Sequence, residues 1–217
     1  MPRYCRPRVS TSVVYRTAAG YTLLMRVLYG RHYGARLRAV AEQVPVGSTV
    51  LELCCGPGTL YLRSLRQRTT AYTGLDVNQR FVARLRRRGV DARLVDVSGG
   101  PLPPADVVVM HASLYHFLPH AGEVVDRMLA AARERVIVCE PVRNLASSGV
   151  PLIGSLARRA ADPGVGGHAQ RFTERTLDEL MAGRGERVLA AFPIPGGREK
   201  LYVLAAARAG LPARGCP

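Results

Sequence analysis

This 217-residue sequence has no tryptophan and only one lysine, Lys200, beside 30 arginines. No run of about 18 apolar residues is present, which argues against a membrane-spanning helix. The five cysteines form no CxxC pair and no disulfide framework, so no metal site is predicted. The basic residues 1–10 are not followed by an apolar segment, so we expect no secretory signal and a cytoplasmic protein.

The net charge of +15 at pH 7 raises the question of an anionic partner. Most arginines are scattered, and the one tight run, Arg84 and Arg86–Arg88, falls on a predicted helix. Two interpretations of that run stay open: a solvated helix face, which we favour, and an anion-binding patch. Aromatic residues do not alternate with the basic ones as a base-stacking surface requires. The charge therefore permits nucleic acid or an anionic membrane as a partner but does not favour either.

From Thr49 onward, apolar strands alternate with amphipathic helices. This pattern predicts an α/β fold with a Rossmann-like, doubly wound and mostly parallel sheet. Asn78 is the predicted N-cap of the helix after the second strand. The five predicted strands of the alternating part are Thr49–Cys54, Ala71–Asp76, Ala92–Val95, Asp106–His111 and Arg135–Glu140.

The two ends of the chain depart from this alternation. Residues 18–44 are predicted to form one or two N-terminal helices with a break at Gly30 and Gly34, and residues 149–161 a further helix. A last helix begins near Thr173 and precedes two strands whose connection is too short for a helical crossover. An antiparallel C-terminal strand pair is therefore predicted, Val188–Phe192 with Leu201–Ala206.

A glycine loop follows the first predicted strand, in the segment Leu51-Glu-Leu-Cys-Cys-Gly-Pro-Gly-Thr59. Gly56 and Gly58 let the backbone adopt positive φ and approach a ligand, and the helix start presents free N–H groups. Asp76 ends the second strand. Its spacing from Glu52 along the sequence is close to that at which an acid accepts the two ribose hydroxyls of a nucleoside. The loop predicts a nucleoside-binding site; the alternative is a tight structural turn beside two solvent-facing acids.

The same segments resemble the motifs of class I S-adenosylmethionine-dependent methyltransferases of the small-molecule type. Glu52-Leu-Cys-Cys-Gly-Pro-Gly58 is similar to their first motif, E/D-x-G-x-G-x-G, with Cys54 in place of the first glycine. The resemblance covers residues 37–207, and its motifs follow one another in the family's order. A Rossmann dehydrogenase needs a GxGxxG spacing, which this loop does not supply. The second, third and fourth motifs are matched by Leu75–Asn78, Val95–Val97 and Ala105–Phe117.

The resemblance implies S-adenosylmethionine as cofactor and assigns roles around its methionine and ribose. Glu52 orients the loop and the ammonium region of the cofactor. The backbone at Cys54, Gly56 and Gly58 wraps the methionine moiety. Asp76 accepts the ribose diol. Since the contact at Cys54 is made by the backbone, the substitution of glycine by cysteine leaves it in place.

The resemblance assigns further roles around the adenine and the reactive sulfur. Val77 packs on the adenine, Asp96 accepts its amino group, and the N–H of Val97 faces a ring nitrogen. His111 and Ala112, at the end of the fourth strand, flank the sulfur that carries the methyl group.

A general base is needed only if the acceptor must lose a proton. A packed or capping role is the alternative for His116, and a salt bridge with Arg143 is the alternative for Glu140. The predicted catalytic residues are Tyr115, His116 and Glu140, with His111 and His168 as further candidates.

The predicted function is transfer of a methyl group from S-adenosylmethionine to a small-molecule acceptor by in-line displacement, with S-adenosylhomocysteine as the product. Placement of the nucleophile does most of the work, since the sulfonium is already a strong methyl donor. A methyltransferase acting on RNA or on a membrane lipid is the rival, and a non-catalytic S-adenosylmethionine-binding protein is a third interpretation. We expect one domain over residues 1–217: a helical lid (1–44), a cofactor-binding core (45–140), a lid insertion (141–172), and a C-terminal helix and strands (173–207).

Overall fold

The computed structural model describes residues 18–143 and 171–206. The helix predicted over residues 149–161, His168 and most of the predicted lid insertion lie outside the described residues. No helix in the described ranges combines the length and the apolar character that a bilayer span requires.

One seven-stranded sheet organises the described chain, in the order β3-β2-β1-β4-β5-β7-β6. The first five strands run parallel, and β7 is antiparallel to both β5 and β6. This confirms the predicted doubly wound sheet with an antiparallel C-terminal pair. The strands are β1 (Ser48–Leu53), β2 (Thr69–Asp76), β3 (Ala92–Leu94), β4 (Ala105–His111), β5 (Ala132–Pro141), β6 (Val188–Pro193) and β7 (Glu199–Ala205).

Five α-helices and several shorter helical turns accompany the strands within residues 18–143 and 171–206. The N-terminal region is two helices, because Gly30 takes φ +49° and begins a 3-10 turn between them. The α-helices are α1 (Ala18–Tyr29), α2 (Tyr33–Glu42), α3 (Gln79–Arg86), α4 (Ala121–Ala131) and α5 (Glu174–Ala182). Gly30–His32, Leu114–Phe117 and Gly185–Arg187 are 3-10 turns, and Tyr61–Leu65 is a π-helical segment.

Side-chain caps determine where two of these helices begin. The predicted cap Asn78 accepts the N–H groups of Arg80 and Phe81 at the start of α3. At α5 the hydroxyl of Thr173 accepts the N–H of Thr176, and the Thr176 hydroxyl accepts the N–H of Thr173 in return. Each cap satisfies N–H groups that have no partner inside the helix.

The sheet is buried on both faces, as expected for a doubly wound fold. Along β4 the side chains alternate between two apolar clusters. Val108 and Met110 pack with α4 and α5, while Val107 and Val109 pack with α2 and α3. All four side chains are fully buried, which explains why the strand is a continuous apolar run in the sequence.

β1 and β4 are neighbours at the centre of the sheet, although β2 and β3 lie between them in the chain. The helical segment after β1 packs in the cluster with α2 and α3, whereas α4, after β4, packs in the other cluster. The chain therefore leaves these two strands toward opposite faces. A crevice opens at their carboxyl ends, the position at which open α/β sheets bind ligands.

Gly74 in β2 allows a close approach between the sheet and the loop after β1. A Cβ atom at this position would lie 2.8 Å from the Sγ of Cys55 and 2.8 Å from the hydroxyl oxygen of Tyr72. Both distances are shorter than any ordinary van der Waals contact, so a larger residue must displace one of these side chains.

We expect Gly74→Ala to lower the free energy of unfolding by about 1–3 kcal/mol, because overpacking forces Cys55 or Tyr72 to move. Urea denaturation followed by circular dichroism measures this change. Gly99→Ala is the matched control, since an added Cβ there meets no atom within 4 Å. We expect it to change stability by less than about 0.5 kcal/mol, and equal losses for the two variants would contradict the close approach.

Candidate functional site

A cleft lies at the carboxyl ends of β1 and β4 and is covered by the N-terminal helices. Its wall brings together the loop after β1, the loop after β4 and side chains of α1 and α2. The described residues that form it are Met25, Tyr33, Arg36, Leu37, Glu52, Cys54, Cys55, Gly56, Pro57, Thr59, Leu60, His111, Ala112 and Ser113. Three predicted cofactor-binding residues, Glu52, Cys54 and Gly56, and both predicted sulfur-flanking residues therefore line one cleft, whereas Gly58 is not among its lining residues.

The loop after β1 is built from left-handed backbone. Cys54, Gly56 and Gly58 have φ of +53°, +55° and +71°, a region that residues other than glycine rarely adopt. A Cβ at Gly58 would lie 2.5 Å from a methyl carbon of Leu85. Glycine at this position thus lets the loop pack directly on α3.

Asp76, at the end of β2, ties this loop to the sheet. One carboxylate oxygen accepts the N–H of Gly56 at 2.7 Å and the other accepts the N–H of Asn78 at 2.7 Å. The side chain is buried, and burial raises its pKa against the lowering effect of these hydrogen bonds. Asp76 therefore positions the glycine loop, and its role toward a ribose stays a prediction.

Glu52 is a buried carboxyl group in the cleft wall. The Tyr72 hydroxyl donates to it at 2.7 Å, and the ring of Tyr72 stacks on Tyr61 with centroids 3.9 Å apart. Burial raises the pKa of Glu52 to about 8, although the hydrogen bond from Tyr72 acts in the other direction. The buried position of Glu52 therefore favours the protonated form of its carboxyl group.

A buried ion pair that was not predicted from the sequence lies beside the end of β4. Arg36 of α2 donates to both carboxylate oxygens of Glu199, at the start of β7. The hydroxyl of Tyr29 donates to the same carboxylate at 2.9 Å, and the Arg36 guanidinium lies 3.9 Å from the centre of the Tyr29 ring. Arg36 also contacts the Nε2 atom of His111 at 2.7 Å. All these groups except Tyr29 are buried.

A local signal for Arg36 exists in the sequence, whereas none exists for Glu199. Tyr33, Leu37 and Val40 form the apolar stripe of α2, and Arg36 stands on that stripe. A charged residue at a buried position needs a partner. The partner Glu199 becomes recognisable only through the antiparallel pairing of β7 with β5.

Glu140 anchors the loop that follows β4. Its Oε1 atom accepts the N–H groups of Ser113 at 2.7 Å and Leu114 at 2.8 Å, and its Oε2 atom accepts that of Tyr115 at 3.4 Å. The side chain is fully buried, and burial raises its pKa to about 8. These hydrogen bonds give Glu140 a structural role in the loop, and its predicted catalytic role stays a prediction. Parallel pairing sets the end of β5 beside that of β4, so the side chain reaches the neighbouring loop.

Tyr115 and His116 lie on the 3-10 turn Leu114–Phe117, which belongs to the loop that Glu140 anchors. Tyr115 is buried in the apolar cluster with α4 and α5. His116 packs against its ring with centroids 4.0 Å apart, and the guanidinium of Arg171 lies 3.8 Å from the centre of the Tyr115 ring. Neither residue is among the described residues of the cleft wall, and their catalytic role stays a prediction.

The predicted adenine contacts lie at the ends of β2 and β3. Val77 is 42% exposed, and Asp96 is exposed with one oxygen accepting the N–H of Ser98 at 2.8 Å. The side chain of Val97 instead packs in the apolar core, which leaves only its backbone for a ligand. The exposed side chains of Val77 and Asp96 are accessible to a ligand on this side of the crevice.

His111, Cys139 and Glu199 also place three ligand-type atoms within 4.8 Å of one another. Arg36 already occupies both oxygens of Glu199 and the Nε2 atom of His111. A divalent cation would sit against this guanidinium, and like charges at such a distance repel strongly. The arrangement is an ion-pair network and suits a metal poorly.

Residues 28–191 match the family model described as a methyltransferase domain, which covers most of the chain. The chain belongs to the methyltransferase domain family. This confirms the predicted membership of the class I S-adenosylmethionine-dependent methyltransferases. Trans-aconitate 2-methyltransferase of Mycolicibacterium gilvum (strain PYR-GCK) is 37% identical over 107 residues, which are 48% of this chain and 40% of that protein. The match thus spans less than half the length of the curated relative.

Solved methyltransferase structures share the fold. Magnesium protoporphyrin IX methyltransferase from Synechocystis PCC 6803, with bound S-adenosylhomocysteine, has a TM-score of 0.61 at 16% identity, covering 89% of this chain and 97% of that one. The N-methyltransferase NodS from Bradyrhizobium japonicum WM9, also with S-adenosylhomocysteine, has a TM-score of 0.58 at 14% identity, covering 82% and 88%. At these identities the likeness concerns the fold alone.

In this methyltransferase we expect Cys54→Gly to change the free energy of unfolding by less than about 1 kcal/mol. Glycine removes the cost of left-handed backbone, about 1–2 kcal/mol, but it also gains freedom in the unfolded chain. Cys54→Val is the contrasting variant, and its β-branched side chain should cost about 2 kcal/mol or more at this φ. Urea denaturation compares the two, and equal stability of both variants would contradict the assigned backbone conformation.

Glu52 should make the stability of the methyltransferase depend on pH. Its pKa is about 8 in the folded protein against an ordinary 4.5, so between these values the folded state binds a proton that the unfolded state lacks. The stability that this group contributes is full below pH 4.5 and is lost as pH rises toward 8.

The measurement is urea denaturation of the wild type and Glu52→Gln between pH 5 and 8. The wild-type free energy of unfolding should fall relative to that of the variant by up to about 1.4 kcal/mol per pH unit. Glutamine keeps an oxygen that accepts the Tyr72 hydroxyl, so the comparison isolates the titration. Parallel curves for the two proteins would show that Glu52 is already ionised in the folded state.

Proposed function

We propose that this methyltransferase transfers a methyl group from S-adenosylmethionine to a small-molecule acceptor. The observation that carries the proposal is the left-handed loop of residues 54–58, which Asp76 holds at the crevice between β1 and β4. Ligands of open α/β sheets bind at this place, and a glycine loop there allows a nucleoside cofactor to approach the backbone closely.

The cleft suits the methionine end of the cofactor. The Tyr33 hydroxyl is buried in the cleft wall and has no hydrogen-bond partner among the described residues. Such a hydroxyl is costly until a ligand satisfies it, and the cofactor's carboxylate is a suitable acceptor. Glu52 lies in the same wall and would accept the ammonium group. A Cβ at Gly56 would meet no atom within 4 Å, so the loop leaves space there.

The nucleoside end of the cofactor fits the ends of β2 and β3. Each Asp76 oxygen accepts one backbone N–H and keeps a second lone pair for a ribose hydroxyl. Asp96 and Val77, both exposed, would contact the adenine amino group and ring. Of these residues, Val77 and Asp96 are exposed, and Asp76 is buried beside the glycine loop.

When bound, the cofactor supplies an electrophilic methyl group on its sulfonium sulfur. The chain's part is to place the acceptor in line with it and to exclude water. His111 and Ala112 are the cleft residues at the end of β4, and Ala112 turns the chain into the next loop through φ +56°. We assign Glu140 as the positioning residue of that loop, with Tyr115 and His116 bounding the acceptor side.

A small acceptor is supported by the cover over the cleft and by the relative. Tyr33, Arg36 and Leu37 of α2 line the cleft together with the loop after β1. The curated relative is named for methylation of trans-aconitate, a small molecule. Trans-aconitate is therefore the first acceptor to test.

We expect S-adenosylhomocysteine to stabilise the full chain by about 2.7 kcal/mol at 100 times its dissociation constant, and NAD to have no such effect. Asp76→Asn should weaken binding by about 1.5–3 kcal/mol, the range for a hydrogen bond to a charged group. Isothermal titration calorimetry measures the affinity, and thermal unfolding without ligand checks that the variant is folded.

Asp91→Asn is the matched control for Asp76→Asn. Asp91 precedes β3 and lies beside Thr73 in the middle of β2, away from the carboxyl end of that strand, where it is exposed and bound to Thr73 and Arg93. We expect its replacement to leave the affinity within a factor of about two. Equal weakening in both variants, or equal stabilisation by NAD, would contradict the proposed cofactor site.

A further inference from the structure

The helical layer on one side of the sheet carries many arginines on its outer surface. This layer consists of α2, the π-helical segment Tyr61–Leu65 and α3, which share one apolar cluster. The guanidinium of Arg63 lies 5.6 Å from the centre of the Tyr33 ring, and a Cβ at Gly58 would meet Leu85, so these elements lie side by side. We define the arginine face as the following exposed residues on or directly after them: Arg38, Arg63, Arg66, Arg80, Arg84, Arg87 and Arg88.

The charge of the arginine face is not balanced by acids. Glu42, at the end of α2, is the one acidic residue on these three described elements. None of the seven arginines forms an ion pair with an acid of residues 18–143 and 171–206. Outside these ranges the sequence contains a single acidic residue, Asp162. The positive charge of this surface is therefore available to an external anion.

The opposite side of the sheet has a different distribution of charge. There, α4, α5 and the residues after α5 carry acids and bases that pair with one another. Arg184 lies 2.7 Å from Asp126, and Arg175 lies 2.7 Å from Glu179. A bias of composition toward arginine would act on both sides alike, so composition alone does not explain the arginine face.

The spacing of the arginines on α3 is unfavourable for the helix itself. Arg80, Arg84 and Arg87 follow one another at four and three residues and form an exposed stripe. Phe81 and Leu85 of the same helix are buried. Like charges at this spacing repel one another, and Arg80 in the first turn also opposes the helix dipole. Helix stability therefore does not account for the stripe, whereas a partner with many negative charges would offset the repulsion.

Exposed apolar side chains accompany the arginine face. α1 packs against the same apolar cluster through Met25 and Tyr29, while Leu23 and Val27 are 65% and 73% exposed. Arg26, which lies between them in the sequence, is also exposed. On the other side of the sheet, the described helices α4 and α5 carry no large exposed apolar side chain. Basic and apolar groups on one surface are typical of proteins that bind to an anionic membrane.

The arginine face is less suited to nucleic acid. Single strands are bound by exposed aromatic side chains on which the bases stack. In this layer Tyr33 and Phe81 are buried, and Tyr61 already stacks on Tyr72. A duplex is read by an element that enters one of its grooves, whereas here the sides of packed helices form the surface.

We propose that the arginine face, together with Leu23 and Val27, binds the surface of an anionic lipid bilayer. The guanidinium groups contact the lipid phosphates, and the two apolar side chains enter the boundary between headgroups and acyl chains. None of these residues belongs to the described cleft wall, so the inference does not rest on the proposed function.

The first test is sedimentation of the full chain with vesicles. One set contains phosphatidylcholine alone, and the other contains equal parts of phosphatidylcholine and phosphatidylglycerol. We expect binding to the anionic vesicles only. The binding should weaken as salt is raised, because salt screens charges beyond a Debye length of about 8 Å at physiological ionic strength. Absence of binding to the anionic vesicles at low salt, or equal binding to both sets, would overturn the inference.

Arg84→Gln/Arg87→Gln removes two charges from the arginine face. Each basic residue near an anionic surface changes partitioning about fivefold, so we expect the double variant to bind at least about tenfold more weakly. Arg133→Gln/Arg175→Gln is the matched control, because it removes the same charge at two exposed arginines that are paired with acids. We expect it to bind within about twofold of the wild type. Thermal unfolding without vesicles checks that each variant is folded, and equal weakening by both would show that net charge alone drives the binding and would overturn the inference.

Leu23→Gln/Val27→Gln tests the apolar contact at unchanged charge. We expect it to reduce binding to anionic vesicles about tenfold at physiological salt, where burial of apolar surface matters most. Leu189→Gln, at a 60% exposed residue of β6, is the control and should match the wild type. Vesicle binding that Leu23→Gln/Val27→Gln leaves unchanged would overturn the membrane assignment. Displacement of the protein from the vesicles by a short RNA strand or DNA duplex at equal phosphate concentration would do the same, in favour of nucleic acid.

Discussion

The parallel pairing of β1 with β4, from Val50 opposite Val107 to Leu53 opposite Met110, brings the last residues of both strands to one edge of the sheet. The following segments leave toward opposite faces of the sheet, so a crevice opens at this edge. Both loops then turn through left-handed residues at Cys54 and Ala112. The cleft, its cover by α2 and the proposed cofactor position all depend on this one adjacency, because it brings together loops more than 50 residues apart in the chain.

A second constraint is the buried ion pair between Arg36 and Glu199. Removing two charges from water is expensive, and such pairs seldom stabilise a fold more than apolar packing would. Here the pair has a bidentate contact and a hydrogen bond from Tyr29, and it links α1 and α2 to the start of β7. Arg36 also contacts His111, and burial together with the charge of Arg36 lowers the pKa of that imidazole, while Glu199 raises it. We interpret the pair as a device that orients the cover over the cleft.

Most of the fold could be predicted from local patterns. The fully buried run Val107–Met110 and the alternation of strands and helices follow from the requirement that a two-sided core be apolar. The cap at Asn78 follows from the unpaired N–H groups of a helix start. The glycine loop and the acids Glu52 and Asp76 indicated a nucleoside-binding site, because they combine backbone freedom with hydrogen-bond acceptors, and the resemblance of these segments to known motifs indicated the family. Each of these features depends on residues that are close together in the chain, so it can be recognised from the sequence.

Tertiary structure alone decided what the functional groups contact. Glu140 is an anchor for backbone N–H groups because β5 ends beside β4, and no local pattern distinguishes that role from a salt bridge. Arg36 and Glu199 are 163 residues apart and meet only after α2 and β7 have packed. Composition alone does not distinguish Arg36 from the other arginines of the sequence, of which there are 30 in all. Local sequence determines backbone conformation and burial, whereas charges act through space on whichever partner the folded chain brings within a few ångströms.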